Sequence, residues 1–241
     1  MSEKIPMLST RDALRQCLQE AQSRGEERFS FTVGKPLAAS LSGPQLRDLL
    51  DLLLPAAQRR SVQLRRERSG DWQVTVHLVY RLGVRLASCY ARYGAAAPHE
   101  NDAFDDDEWS ALQQALRIVE AARQDNPDPR ALARRLFVAL RKTAVYTDLP
   151  AGARGHDLLI SAAAVLVRHS ANCQGFSDAY YLLGTLAGLR VGYTAGTKAR
   201  RPHLWNTILL DGRWQTVDVT SGAFLPDEAG LAALGLSRGC L

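Results

Sequence analysis

The chain has 241 residues, is 46% hydrophobic and carries a formal net charge of +5, enough to bury a sizeable core as one domain with an N-terminal extension or as two. No apolar run approaches the roughly 20 residues that span a bilayer, and Met1-Ser2-Glu3-Lys4-Ile5-Pro6 lacks the apolar core of a secretory leader. Four cysteines without close pairing give neither a disulfide framework nor a zinc-type Cys-x-x-Cys, so a reducing, cytoplasmic setting with no membrane partner, no metal and no cofactor is expected.

In chain order, the pattern predicts a helix over residues 10–24 and a strand over 28–33. A second helix is predicted over 43–54, with Leu46, Leu49, Leu50 and Leu53 on one face. Two strands, over 61–68 and 72–82, follow around Ser69-Gly70-Asp71, the second alternating through Val74, Val76, Leu78 and Tyr80. This reads as a small mixed α/β unit spanning residues 1–97. Its role is open between covering a cleft, recognising substrate and adding core. Residues 98–108 read as an acidic linker and helix-start region containing Asp102, Asp105, Asp106, Asp107 and Glu108, where negative charge is favoured. As a calcium loop this cluster fails, because it lacks the spaced ligands and turn glycine. Helices are predicted over 109–124 and, after Asn126-Pro127-Asp128-Pro129, over 130–144. A domain over residues 109–241 follows from this organisation. The arginines at 59, 60, 65, 66 and 68 are interspersed with acids and carry no aromatic-basic motif, so they read as a solvated surface, and no nucleic-acid partner is expected. The sequence carries no signal for oligomeric state.

The chemistry concentrates later. Phe176, Tyr180, Leu183, Leu186 and Ala187 repeat at helical spacing, with Gly188 as a stop, which sets Cys173 at or just before a helix N-terminus. There the backbone N–H groups and the macrodipole favour a thiolate, which suits a nucleophile. The alternative is a buried, inert thiol, the reading given to Cys17 and Cys89; Cys240, near the C-terminus, reads as exposed. Residues 203–210 and 213–220 are strand-like runs joined by Asp211-Gly212, a two-residue hairpin signal. That turn pairs Leu210 with Arg213, Leu209 with Trp214, Trp205 with Asp218 and His203 with Thr220. His203 and Asp218 then become diagonal neighbours on one face, about 7 Å apart at the backbone. A surface histidine with an edge aspartate is the plainer alternative. Together, a thiol, an imidazole and a carboxylate are the parts needed for nucleophilic acyl transfer.

The segments Ser161-Ala162-Ala163-Ala164-Val165-Leu166, Cys173-Gln174-Gly175-Phe176, Gly188-Leu189-Arg190-Val191, Gly196, His203-Leu204-Trp205-Asn206, Leu210-Asp211-Gly212-Arg213-Trp214 and Val217-Asp218-Val219-Thr220 resemble the transglutaminase-like superfamily of papain-fold cysteine enzymes. The departures are mild: Phe176 where tyrosine is usual, Leu204 where alanine is usual, and Ser177-Asp178 after the cysteine block. The resemblance implies an α+β fold in which a helix carrying the nucleophilic cysteine packs on an antiparallel sheet carrying His and Asp. It also implies that Cys173 is the nucleophile, His203 the base and Asp218 the residue that orients the histidine.

The expected reaction is acyl transfer on a peptide or protein amide through a Cys173 thioester, with hydrolysis preferred. Transglutaminase-type cross-linking and an idle papain-like fold used to bind a protein are the alternatives. The backbone N–H of Cys173 is the natural oxyanion donor, and Tyr146, Asn172 and Gln174 are weaker candidates for a second. Trp205 and Trp214 read equally as site walls and as core aromatics. A basic loop over 197–202, with Lys198, Arg200 and Arg201, would favour acidic substrates through its field.

Overall fold

A computed structural model describes residues 5–94 and 104–238. Cys240, Asp102 and most of the expected linker lie outside the described residues. By packing, the chain divides between Tyr80 and Arg81.

The first unit runs β1 (Met7–Leu8), α1 (Arg11–Ser23), β2 (Arg28–Val33), α2 (Lys35–Ala38), α3 (Gly43–Leu53), β3 (Ala57–Arg66) and β4 (Trp72–Tyr80). Its sheet has the order β1-β2-β4-β3. The Thr10 side chain caps α1 by accepting from Ala13 N, and Ser42 and Gln45 form a reciprocal capping box on α3. The core joins the helix faces (Leu14, Leu18, Leu46, Leu50) to the inward-alternating strand residues Phe31, Val33, Val74 and Val76, all fully buried.

The second unit begins with α4 (Leu82–Tyr93), a helix that the sequence reading does not contain and assigns to the N-terminal unit. Next come α5 (Asp106–Arg123), α6 (Pro129–Thr143), β5 (Val145–Tyr146), α7 (Ala162–Leu166), β6 (Ser170–Ala171) and α8 (Cys173–Leu186). After these lie β7 (Val191–Lys198), β8 (Arg201–Leu210), β9 (Arg213–Asp218), β10 (Ala223–Phe224), α9 (Glu228–Ala233) and β11 (Leu236–Arg238). Helix α5 starts three residues before the expected Trp109. Asp105 and Glu108 form a capping box, and Asp106 and Asp107 sit in the first turn, where the helix dipole favours negative charge. The acidic cluster is therefore helix start more than linker.

The fold is α+β, with α8 as its axis. Apolar on nearly all sides, α8 packs against α4, α5, α6 and α7 and against the sheet strands β7 and β8. That sheet is antiparallel, in the order β10-β9-β8-β7-β11. The β8–β9 hairpin has the expected register, Leu210 opposite Arg213 and Leu209 opposite Trp214, continuing to Asn206 opposite Val217. Asp211 and Gly212 both take positive φ, 53° and 73°, the left-handed pair a tight hairpin turn requires. Instead of a loop over 197–202, β7 and β8 pair through Lys198 and Arg201, and only Ala199 and Arg200, with φ of 47° and 65°, make the turn.

Candidate active site

Cys173 is the first residue of α8, and Asn172 is its N-cap, its Oδ1 accepting from the backbone N–H of Gln174 at 2.9 Å and of Gly175 at 3.4 Å. A Cβ at Gly175 would lie 2.5 Å from the Leu159 carbonyl oxygen, so only glycine lets the first turn of α8 approach that backbone. Cys173 is half-buried.

The helix is tied to the sheet four residues on. Ser177 Oγ donates to the Leu204 carbonyl at 2.9 Å. From β8, Asn206 Nδ2 donates back to the Ser177 carbonyl at 3.1 Å and to the Gly192 carbonyl at 3.2 Å. Ser177 lies one turn from Cys173, so the tether that fixes it to β8 also sets the thiol against the strand carrying His203. Asp178 does the same toward the helices. Its fully buried carboxylate accepts from Gly83 N, Ala162 N and Tyr193 Oη at 2.8 to 3.1 Å. Burial raises the Asp178 pKa, against the opposing charge of Arg81 and these hydrogen bonds. Ser177 and Asp178, two of the departures from the family pattern, are thus the residues that lock α8 in place.

His203, buried at 9% exposure, hydrogen-bonds through Nε2 to Asp218 Oδ2 at 2.8 Å. Cys173 also acts on this ring and raises its pKa. Burial alone lowers the His203 pKa, but the hydrogen bond to Asp218 and the interactions with Asp218 and Cys173 outweigh it and raise it to about 9. For Asp218, burial pushes upward and the hydrogen bond and charge of His203 pull down, leaving it at about 2. Near neutral pH this is a charged imidazolium–carboxylate pair.

The carboxylate is held in turn by groups the sequence reading leaves without a role. Thr220 Oγ1 and N donate to Asp218 Oδ1 at 2.7 and 3.1 Å, Ser221 N donates to Oδ1 at 3.2 Å, and Ser221 Oγ donates to Oδ2. Lys198 Nζ donates to that Ser221 hydroxyl at 2.7 Å. An aspartate followed at two and three residues by Thr and Ser is a local turn signal, and it marks this arrangement.

The weaker candidates separate. Trp205 is buried, and its ring stacks on His203 with centroids 5.7 Å apart. Trp214 shares that face at the turn end of the hairpin, six rows away or about 20 Å at strand rise. It is half-exposed and lies under the Arg190 guanidinium, so it does not wall the site. Gln174 Oε1 accepts from Arg81 at 3.2 Å, and the Asn172 amide oxygen is spent on the helix cap. Tyr146 lies opposite Ala171 in the β5–β6 pair, two residues before the cysteine, and senses the charges of Cys173 and Asp218. Among the described residues no group of three or more His, Cys, Asp or Glu is placed to hold a metal ion, and no helix is long and apolar enough to cross a membrane.

Residues 117–219 match the family model of the transglutaminase-like superfamily. This domain is transglutaminase-like. The match begins inside α5 and ends one residue past Asp218. No curated protein matches the chain. Among solved structures, a TGase crystal structure is 16% identical with a TM-score of 0.43, covering 90% of this chain and 59% of its own. A protein from Cytophaga hutchinsonii proposed to be a cysteine protease is 10% identical with a TM-score of 0.36, covering 68% of this chain and 65% of its own. A proposed protease from Parabacteroides distasonis is also 10% identical at 0.36, covering 64% and 30%. The chain thus spans less than two thirds of each of these structures.

Proposed function

We propose that the transglutaminase-like domain is a cysteine peptidase or amidase in which Cys173, His203 and Asp218 act as nucleophile, acid–base and orienting carboxylate. The observation that carries this reading is one buried imidazole, hydrogen-bonded to Asp218 at 2.8 Å, on the strand to which Ser177 and Asn206 tether the helix that begins at Cys173. The Cys173 sulfur adds to the carbonyl carbon of an amide. His203, protonated, gives its proton to the leaving amine as the C–N bond breaks, leaving a thioester. A water then attacks the thioester, His203 takes its proton, and the acid leaves as the thiol is restored. The Cys173 backbone N–H, which has no intrahelical acceptor in the first turn, is the donor we assign to the oxyanion. Asp218 keeps the ring in one orientation and stabilises its cation. A reducing compartment suits a thiol with this role.

Water as acyl acceptor is our reading. The test is a peptide library incubated with the protein, with and without a primary amine, and followed by mass spectrometry. Hydrolysed fragments that vanish in Cys173→Ala support it. Amine-bearing or cross-linked products without fragments would make the protein a transferase, and neither product in the presence of intact Cys173 would leave it as a binding fold.

A further inference from the structure

The sequence groups Lys198 with Arg200 and Arg201 in one basic loop, but the structure ties Lys198 to the residues that hold Asp218. Lys198 is the last residue of β7. It pairs with Arg201 while Gly196 pairs with His203, which puts Lys198 on the face of the sheet that carries His203. Its Nζ donates to Ser221 Oγ at 2.7 Å, and both side chains are half-buried. In the sheet β8 stands between β7 and β9, so this hydrogen bond joins the end of β7 to the segment that leaves β9, a strand with which β7 does not pair.

What the groups can donate fixes the direction of each bond. An ammonium has N–H donors and no acceptor, so Ser221 Oγ must accept from Lys198. A hydroxyl has a single proton, and Ser221 spends it on Asp218 Oδ2, the oxygen that His203 Nε2 also meets at 2.8 Å. The other carboxylate oxygen, Oδ1, is occupied by Thr220 Oγ1, Thr220 N and Ser221 N at 2.7 to 3.2 Å. Without the ammonium, the Ser221 hydroxyl is free to rotate away and Oδ2 is left to His203.

We propose that Lys198 is a positioning residue for the His203–Asp218 pair: it directs the Ser221 proton onto Asp218 Oδ2 and so fixes the carboxylate edge against which the imidazole is held. This inference rests on the reading of that pair as the acid–base partner of Cys173. Lys198 and Ser221 share the carboxylate's charge with His203, and so limit how tightly the imidazole keeps its proton. A group that must both give and take a proton gains from that limit. Other charged or titratable groups surround the pair. Cys173 comes from α8, Tyr146 from β5, and Arg201 shares the β8 face of His203. Arg141 and Lys142 of α6 line a surface cavity with Ser221, and Arg141 donates to the Val219 carbonyl at 3.4 Å. All of them are kept in the variants below, so differences among the variants read Lys198 and Ser221.

A proton NMR titration of the His203 ring in the full chain, with the signal assigned by its loss in His203→Gln, tests the proposal without knowledge of the substrate. Lys198→Met removes the ammonium at similar side-chain length. It is expected to raise the His203 midpoint by roughly half to one pH unit, because a nearby positive charge and a donor to the carboxylate are lost together. Lys198→Arg, donor-only like lysine, is expected to stay near the native midpoint. Ser221→Ala raises the midpoint as well, and the double variant Lys198→Met, Ser221→Ala raises it no further than the larger single shift, because the two residues act as one unit. A native midpoint in Lys198→Met overturns the proposal, as does a Lys198→Arg midpoint as high as that of Lys198→Met. So do single shifts that add in the double variant, which would make Lys198 a source of diffuse field rather than the group that aims Ser221. Iodoacetamide labelling of Cys173 no faster than of Cys17 would instead overturn the nucleophile reading, and the role given to Lys198 with it.

Discussion

Asp218→Asn isolates the interaction that most shapes the site. The substitution keeps the shape of the side chain and removes its charge. In the native protein His203 is carried from its ordinary 6.5 to about 9, against burial, by Asp218 and Cys173 together. That interval is worth roughly 3 kcal/mol at 1.36 kcal/mol per tenfold. Seen from the carboxylate, the displacement from 3.8 to about 2 is worth roughly 2 kcal/mol. The histidine gains more because it also has the thiol as a partner. With the Asp218 charge gone, burial is opposed by Cys173 alone, so His203 should titrate at or below 6.5, a fall of roughly two pH units or more. The assay is a proton NMR titration of the imidazole ring signals, with His203 assigned among the five histidines by its loss in His203→Gln. An His203 that still titrates near 9 in folded Asp218→Asn would refute the reasoning.

The same pair makes stability depend on pH in a defined window. The raised His203 contributes fully below about 6.5 and loses its contribution as pH rises through about 9; the lowered Asp218 contributes fully above about 3.8 and loses it as pH falls through about 2. The melting-temperature gap between native protein and Asp218→Asn should therefore be widest between about pH 4 and 6.5 and close above about pH 9. A gap of constant width would show that the pair is not what the substitution removes. Asn206→Ala strips the donors from the Ser177 and Gly192 carbonyls and should cost about 1 to 3 kcal/mol in urea unfolding while also slowing Cys173 alkylation; loss of stability without loss of reactivity would mean the tether does not set the thiol. Gly175→Ala drives a methyl to 2.5 Å from the Leu159 carbonyl oxygen and 2.8 Å from the Ala171 Cβ and should destabilise by about 2 kcal/mol or more, with an unchanged denaturation midpoint counting against that approach.

Much of the site is legible in the sequence because its signals are local. Asp211-Gly212 is a turn that accepts two positive φ values, and with the turn fixed the register of β8 and β9 follows, bringing His203 to Asp218. The start of α8 is legible because a polar cap precedes a helical apolar repeat. What escapes is non-local or lacks its usual residues. The turn at Ala199-Arg200 contains no Gly, Asn, Asp or Pro, and β7 carries Gly192 and Gly196, which dilute the strand signal; a hairpin therefore reads as a loop. Helix α4 follows β4 with one residue between them, so Leu82 reads as the end of a strand. Asp178 meets Gly83, 95 residues earlier in the chain, and nothing near either residue announces the other. Thr220 and Ser221 are the exception, a local pattern that the sequence displays and that gains meaning only once Asp218 is seen to need holding.

The central claim is that His203 activates Cys173. Its most direct test is the rate of iodoacetamide modification near neutral pH, resolved by cysteine, in the native protein and in His203→Ala. The account predicts fast, selective labelling of Cys173 that falls to the rate of Cys17 once the imidazole is gone. Equal rates at Cys17 and Cys173 in the native protein, or labelling of Cys173 that is indifferent to His203, would contradict it.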